Sequence, residues 1–248
     1  MTNPFFSRAE RLLGTDVMSR LSSLRVIIFG VGGVGSWCAE GLVRSGIAHL
    51  TIVDPDCVST SNVNRQLMAL SVNVGQPKVE VLRKRLLDIN PSADIVALQQ
   101  AYTPDNADTF SLDSYDYVVD AIDSLSHKMD LILHATRRDS HCTLFSAMGA
   151  ALKFDPSQIR TSEFWKVDGC PLAAALRRRM RRQKRFPERR FTCVWSPEVL
   201  PNRGPDAASD PTSPLLPGKA QINGSLVHIT AIVGFTLVSL VLRHAANI

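Results

Sequence analysis

Residues 25–56 constrain this chain more than any other stretch. They open with Arg-Val-Ile-Ile-Phe and continue Gly30-Val-Gly-Gly-Val-Gly35. Residues 26–29 are apolar and rich in β-branched side chains, the composition of a buried strand. Gly30, Gly32 and Gly35 follow as G-x-G-x-x-G, with Gly33 inside the turn, and the next residues suit a helix. A second apolar run at 50–53 ends at Asp54, nineteen positions after Gly35. Strand, glycine turn, helix, strand and acid make a nucleotide-binding βαβ unit. Glycines there let backbone N–H groups approach phosphate oxygens at a helix N-terminus, and Asp54 is placed to accept from ribose hydroxyls. The turn alone does not choose the nucleotide.

The rest of the 248 residues extends that pattern. Residues 1–24 suggest a short helical arm. Residues 59–76 are polar and irregular, a long connection of the kind that is usually functional. Pro77 suits the first turn of a helix over 78–90, and 94–99 reads as a strand. A short helix from Thr103, a strand at 117–121, a helix at 126–138 and a strand at 142–146 follow. Residues 150–164 suit antiparallel strands and turns, and 172–184 a helix. The 201–218 segment holds five prolines and reads as a flexible loop. Residues 229–242 are apolar but, at fourteen residues, short of the roughly 20 needed to span a membrane, so a buried final helix is expected. The expected fold is α/β: one domain over 1–248 with a doubly wound, mostly parallel sheet, an antiparallel extension and a C-terminal apolar helix.

Chemistry-bearing residues cluster where such a sheet exposes its strand ends. Asp56, Asn62, Asn64, Arg65 and Gln66 follow Asp54, Lys78 opens the next helix, and Asp120 and Asp123 close a later strand. Convergence of these groups on the glycine turn suits a nucleoside triphosphate with Mg²⁺. Arg65 and Lys78 would neutralise charge developing on the phosphates. Asp123 would hold the metal, because Mg²⁺ takes one or two carboxylates alongside phosphate oxygens. Nothing in a hydride-transfer site calls for Arg65, Lys78 and Asp123 together, which disfavours a dehydrogenase.

These motifs, with Ser61-Asn-Val-Asn-Arg-Gln66, Val74-Gly-Gln-Pro-Lys78 and Asp120-Ala-Ile-Asp123, occur in the order found in E1-like adenylating enzymes, which the chain resembles from residue 8 to about 165 and again in its last helix. The resemblance implies a Rossmann-like sheet and ATP cleaved to AMP and pyrophosphate after attack of a carboxylate on the α-phosphate. It implies that Asp54 binds ribose, that Asn64, Arg65 and Lys78 contact phosphates, that Asp123 holds Mg²⁺, and that Arg11 reaches the neighbouring site of a homodimer. Members that activate sulfur-carrier proteins have two C-x-x-C pairs, and this chain has none. Nor does Gln221-Ile-Asn-Gly224 hold the cysteine that many members use before the last helix. Thr103-Pro-Asp-Asn106, Asp120-Ala-Ile-Asp-Ser124, Lys153-Phe-Asp-Pro-Ser-Gln-Ile159 and Cys193-Val-Trp-Ser196 look most like the branch that dehydrates threonylcarbamoyladenosine at position 37 of tRNA. Adenylation of a ubiquitin-like or sulfur-carrier protein partner, and a non-catalytic nucleotide- and RNA-binding scaffold, are the alternatives.

Charge bears on the substrate. The net charge is +5, yet residues 177–190 alone carry nine Arg or Lys against one Glu, so the remainder is near −3. Arg177, Arg178, Arg179, Arg181, Arg182, Lys184, Arg185, Arg189 and Arg190 are therefore candidate tRNA phosphate contacts. Lys128 reads as a surface lysine, and Cys193 and Cys57 as unreactive. Five scattered cysteines and the lack of a secretory leader pattern suggest reduced thiols and a cytoplasmic location. The six histidines form no spaced metal set.

Overall fold

The structure is a computed structural model that describes residues 4–204 and 223–248. Most of the expected 201–218 loop lies outside the described residues. The helical arm is a 3₁₀ turn and two helices, α1 (Ser7–Leu13) and α2 (Thr15–Ser23). There follow β1 (Arg25–Phe29), α3 (Gly35–Arg44), β2 (His49–Val53), α4 (Lys78–Ile89), β3 (Asp94–Leu98), β4 (Tyr117–Asp120), α5 (Leu125–Ala135) and β5 (Thr143–Ala147). The chain closes with β6 (Arg160–Glu163), α6 (Pro171–Gln183), β7 (Thr192–Trp195) and α7 (Val227–Ala246).

The seven strands form one sheet in the order β3-β2-β1-β4-β5-β7-β6. All pairs are parallel except β6 with β7. Chain direction reverses its spread at β1, with β2 on one side and β4 on the other. The carboxyl ends of β1 and β4 thus flank the switch point where open α/β sheets bind ligands. Alternation sends successive side chains to opposite faces. Val26, Ile28, Leu50, Ile52 and Val119 meet α2, α3, α4 and α7 on one face. Ile27, Phe29, Val118 and Leu144 meet α5, α6 and the 3₁₀ turn Pro104–Phe110 on the other.

Four expectations change in detail. Pro77 is the N-cap of α4, one residue before its first turn. Only one strand, β6, falls within 150–164, and it pairs with a strand at 192–195 that has too few residues to declare itself by periodicity. The last helix runs 20 residues, because polar and small residues at both ends continue it, which makes it long enough to cross a membrane. It is nonetheless half buried against α3, α2 and β5, as a core helix is. Arg20 of α2 donates to the Ala245 carbonyl at its C-terminal end (2.8 Å).

Close packing of α7 on α3 rests on two glycines. A Cβ on Gly234 would lie 2.7 Å from the Val34 carbonyl oxygen and 3.0 Å from Trp37 Cβ, and one on Gly41 would lie 2.7 Å from Val238. Helix propensity alone would make Gly234→Ala stabilising by about 1 kcal/mol. A backbone carbonyl cannot swing aside, so overpacking should win. Gly234→Ala is expected to lower stability in urea by about 1–3 kcal/mol, and a raised midpoint would refute the helix contact.

Candidate functional site

Gly30 leaves β1 with φ +85°, and a Cβ on it would press to 2.7 Å from the Ala121 carbonyl oxygen beyond β4. Gly35 sits directly on the Gly30 carbonyl, where a Cβ would overlap it. Side chains at either position would push β1, the first turn of α3 and the β4 exit apart. Asp54, at the end of β2, fixes the turn from the side. Its two carboxylate oxygens accept the Val31 N–H (2.8 Å) and the Asp56 N–H (2.9 Å). The N–H groups of Gly32 and Gly33 have no acceptor among the described residues. They face outward at the start of α3, where an anion is favoured.

Cations stand opposite. Lys78, buried at the start of α4, donates to Asp56 (2.8 Å) and lies 3.7 Å from Asp54. Burial raises the Asp54 carboxyl above its usual range, and Lys78 opposes the rise. The Val31 and Asp56 N–H groups also favour the charged carboxylate. Arg65 is partly buried, and its guanidinium donates to the Ser61 carbonyl (2.8 Å) and to Asn64 Oδ1 (3.0 Å). Burial pulls its pKa down, and Asp123 is the charge that counters this. Asp123 is exposed on the turn after β4, near enough for its charge to act on Arg65. Trp37 Nε1 and Thr230 Oγ1 both donate to the Arg65 carbonyl (3.2 and 3.4 Å), so α3 and α7 hold the arginine segment.

A nucleoside triphosphate fits this donor set. The glycine cradle has two free N–H groups, and one further polar atom waits there. Gln66 Oε1 is buried without a partner, and its amide nitrogen comes within 3.6 Å of the space a Cβ on Gly32 would fill. An orphaned buried acceptor is costly unless a ligand or water satisfies it. Among the described residues no group of three metal-ligating side chains exists, so a metal here would depend on Asp123 and on phosphate oxygens.

Several candidates from the sequence serve the site without facing it. Asn62 is buried, and its Oδ1 accepts the Ser59 N–H, closing a capping box in the connection after β2. Asn64 donates to the Ser225 carbonyl, which ties that connection to the segment before α7. Asp120 is wholly buried under the crevice, accepting from Ser146 Oγ (2.6 Å), the Ile122 N–H (3.1 Å) and Lys128 Nζ (2.8 Å). Lys128 is the clearest correction: the expected surface lysine is wholly buried. It also donates to the Ile122 carbonyl (3.0 Å), so one ammonium holds both arms of the turn that presents Asp123. Its five-residue offset from Asp123 resembles any helical surface position, and only the later strand β5, which supplies Ser146, reveals the enclosure. Arg11, on exposed α1, makes no described hydrogen bond with the crevice of its own chain. Cys193 is buried and its thiol is pushed well up by burial, which removes it as a nucleophile.

A third of the cationic run is also structural. Arg177 donates to the Phe164 and Val167 carbonyls and lies over the Phe164 ring. Arg185 pairs with Asp130 (3.1 Å). Arg189 satisfies the carbonyls of Ala135, Arg137 and Cys142.

The fold and crevice define a Rossmann-type nucleotide-binding protein whose site pairs two cations with carboxylates. The chain belongs to the ThiF family, whose model matches residues 6–244. It is 34% identical to tRNA threonylcarbamoyladenosine dehydratase of Escherichia coli over 96% of this chain and 92% of that protein. With the enzyme of the same name from Bacillus subtilis it shares 40% identity over 72% of this chain and 69% of that one. The crystal structure of the E. coli enzyme in complex with ATP superimposes with a TM-score of 0.83, covering 98% of this chain and 93% of that chain.

Removing one partner of a buried ion pair leaves the other charge stranded. Lys128→Met is therefore expected to cost about 3–5 kcal/mol in urea unfolding. The double variant Lys128→Met/Asp120→Asn should recover part of that loss. Equal stability of the single variant and the parent would show that the pair is not enclosed as described.

Proposed function

We propose that this protein is an ATP-dependent dehydratase of threonylcarbamoyladenosine in tRNA. The observation that carries the reading is a crevice built around Gly30–Gly35, Asp54, Arg65, Lys78 and Asp123, in a chain that matches such dehydratases along nearly its whole length. Free N–H groups of the glycine cradle and Gln66 would receive the nucleotide. Asp54 would accept from the ribose, and Arg65, Asn64 and Lys78 would contact phosphates. Mg²⁺ held by Asp123 would neutralise phosphate charge. The substrate's carboxylate attacks the α-phosphorus and pyrophosphate leaves. Cyclisation of the threonylcarbamoyl side chain then expels AMP, which carries away one carboxylate oxygen. The nucleoside thus loses the elements of water, and no enzyme thioester is required. Arg65, desolvated and only partly paired, gains most from the negative charge that builds on the phosphate oxygens.

Incubation with ATP, Mg²⁺ and tRNA bearing the threonylcarbamoyl group, followed by nucleoside mass analysis, tests this. A nucleoside lighter by one water with equimolar AMP is expected. An unchanged nucleoside, or AMP release stimulated instead by a small protein ending in Gly-Gly, would contradict it.

The reading extends to a homodimer in which Arg11 completes the neighbour's crevice. Its support is the exposed apolar surface around the arm and the 59–76 connection: Leu12 (83% exposed), Val72 (77%) and Leu70 (54%). Arg11→Ala and Asp123→Ala are each expected to be inactive. Mixing them after dissociation should restore about a quarter of the activity, because half the dimers then hold one intact site. No recovery on mixing would refute a shared site.

A further inference from the structure

The arginine run and the crevice lie at opposite ends of the molecule. Helix α6 begins beside Gly149, just past the carboxyl end of β5, where a Cβ on that glycine would lie 3.7 Å from Leu172. It ends thirteen residues later at the opposite edge, so it spans about 20 Å. There Arg189 binds the carbonyls at the C-terminus of α5 and just before β5, which fixes 184–190 at the amino ends of the strands. Arg181, Arg182, Lys184 and Arg190 are exposed toward that edge, Arg178 is exposed about 10 Å along α6, and none of the five side chains makes a hydrogen bond or ion pair among the described residues. Three of the neighbouring acids are already engaged, and Asp108, which lines the same cavity as Lys184 and Arg185, is the exception. Asp130 takes Arg185, Asp139 takes Arg137, and Glu188 accepts the Arg138 N–H.

We infer that these five cations hold the phosphate backbone of a helical RNA stem along α6, from about 10 Å beyond its crevice end at Arg178 to about 20 Å at Lys184. The inference rests on the tRNA reading proposed above and adds where the RNA lies. At one charge per about 3.4 Å of strand, as in B-form DNA, that range is about three to six nucleotides, beyond the bases directly flanking the target. Five free guanidinium and ammonium groups against the one neighbouring carboxylate unpaired among the described residues, Asp108, suit backbone contact, which is independent of sequence, in the way that double-stranded RNA is generally held.

The test is a fivefold variant, Arg178→Ala, Arg181→Ala, Arg182→Ala, Lys184→Asn and Arg190→Ala. Asparagine tolerates the left-handed conformation of residue 184 (φ 53°). Binding of unmodified full-length tRNA is measured against salt for parent and variant. Turnover is measured on full-length modified tRNA and on a pentanucleotide with the threonylcarbamoyl nucleoside at its centre, which cannot reach the edge. The variant should bind full-length tRNA at least about tenfold more weakly, and its log–log salt slope should flatten by about 4. Turnover of the pentanucleotide and the circular dichroism spectrum should not change. A parental salt slope, or equal losses on both substrates, would overturn the inference. If the parent converts neither substrate, the dehydratase reading fails, while the binding slopes still decide the role of the edge.

Discussion

The site depends on two missing side chains. Without a Cβ at Gly30 and Gly35, the exit of β1 approaches the carbonyl of Ala121, and the first turn of α3 rests on the Gly30 carbonyl. That approach brings Asp54, at the end of β2, within hydrogen-bonding distance of the turn, and sets the exit of β4 against it. From there the layout is a chain of consequences. Lys78 is buried within 3.7 Å of Asp54, and the charge of Asp123 acts on Arg65 from the turn after β4. Alanine at position 35 would disturb all of these at once, although it would change only one methyl group.

Beneath the crevice lies a second, concealed layer. Asp120, Lys128, Ser146 and the Ile122 carbonyl form a fully enclosed polar network, which low local dielectric makes strong when every partner is present. It carries no charge outward, and its role is to set the turn on which Asp123 sits. Asn62 does comparable work for the segment that bears Arg65. Arg65 and Asp123 are thus at least partly exposed, and the groups that set their segments are buried.

This division explains what the sequence made legible. The βαβ unit was readable because strand period, glycine spacing and the closing acid are local signals, and β1, α3 and β2 stand where they were expected. Asp54, Lys78 and Asp123 could be named as candidates because they lie at or just past element ends, and Arg65 because it falls in the polar connection after β2. Lys128 was misjudged because its burial depends on Ser146 and Asp120, on strands that sequence spacing does not link. Arg177 and Arg189 looked like free cations for the same reason: their acceptors are backbone carbonyls, which no side-chain pattern announces. Strand β7 was overlooked because four residues offer too few turns of a period to read, and its place in the sheet comes from pairing with β5 and β6.

In the proposed reaction the crevice directs a carboxylate oxygen of the substrate to the α-phosphorus of ATP. Labelling the threonyl carboxylate of the tRNA nucleoside with ¹⁸O tests this step most directly. One labelled oxygen is expected in the phosphate of the AMP formed in a single turnover, with unlabelled pyrophosphate. Label in inorganic phosphate, accompanied by ADP, or unlabelled AMP would contradict it.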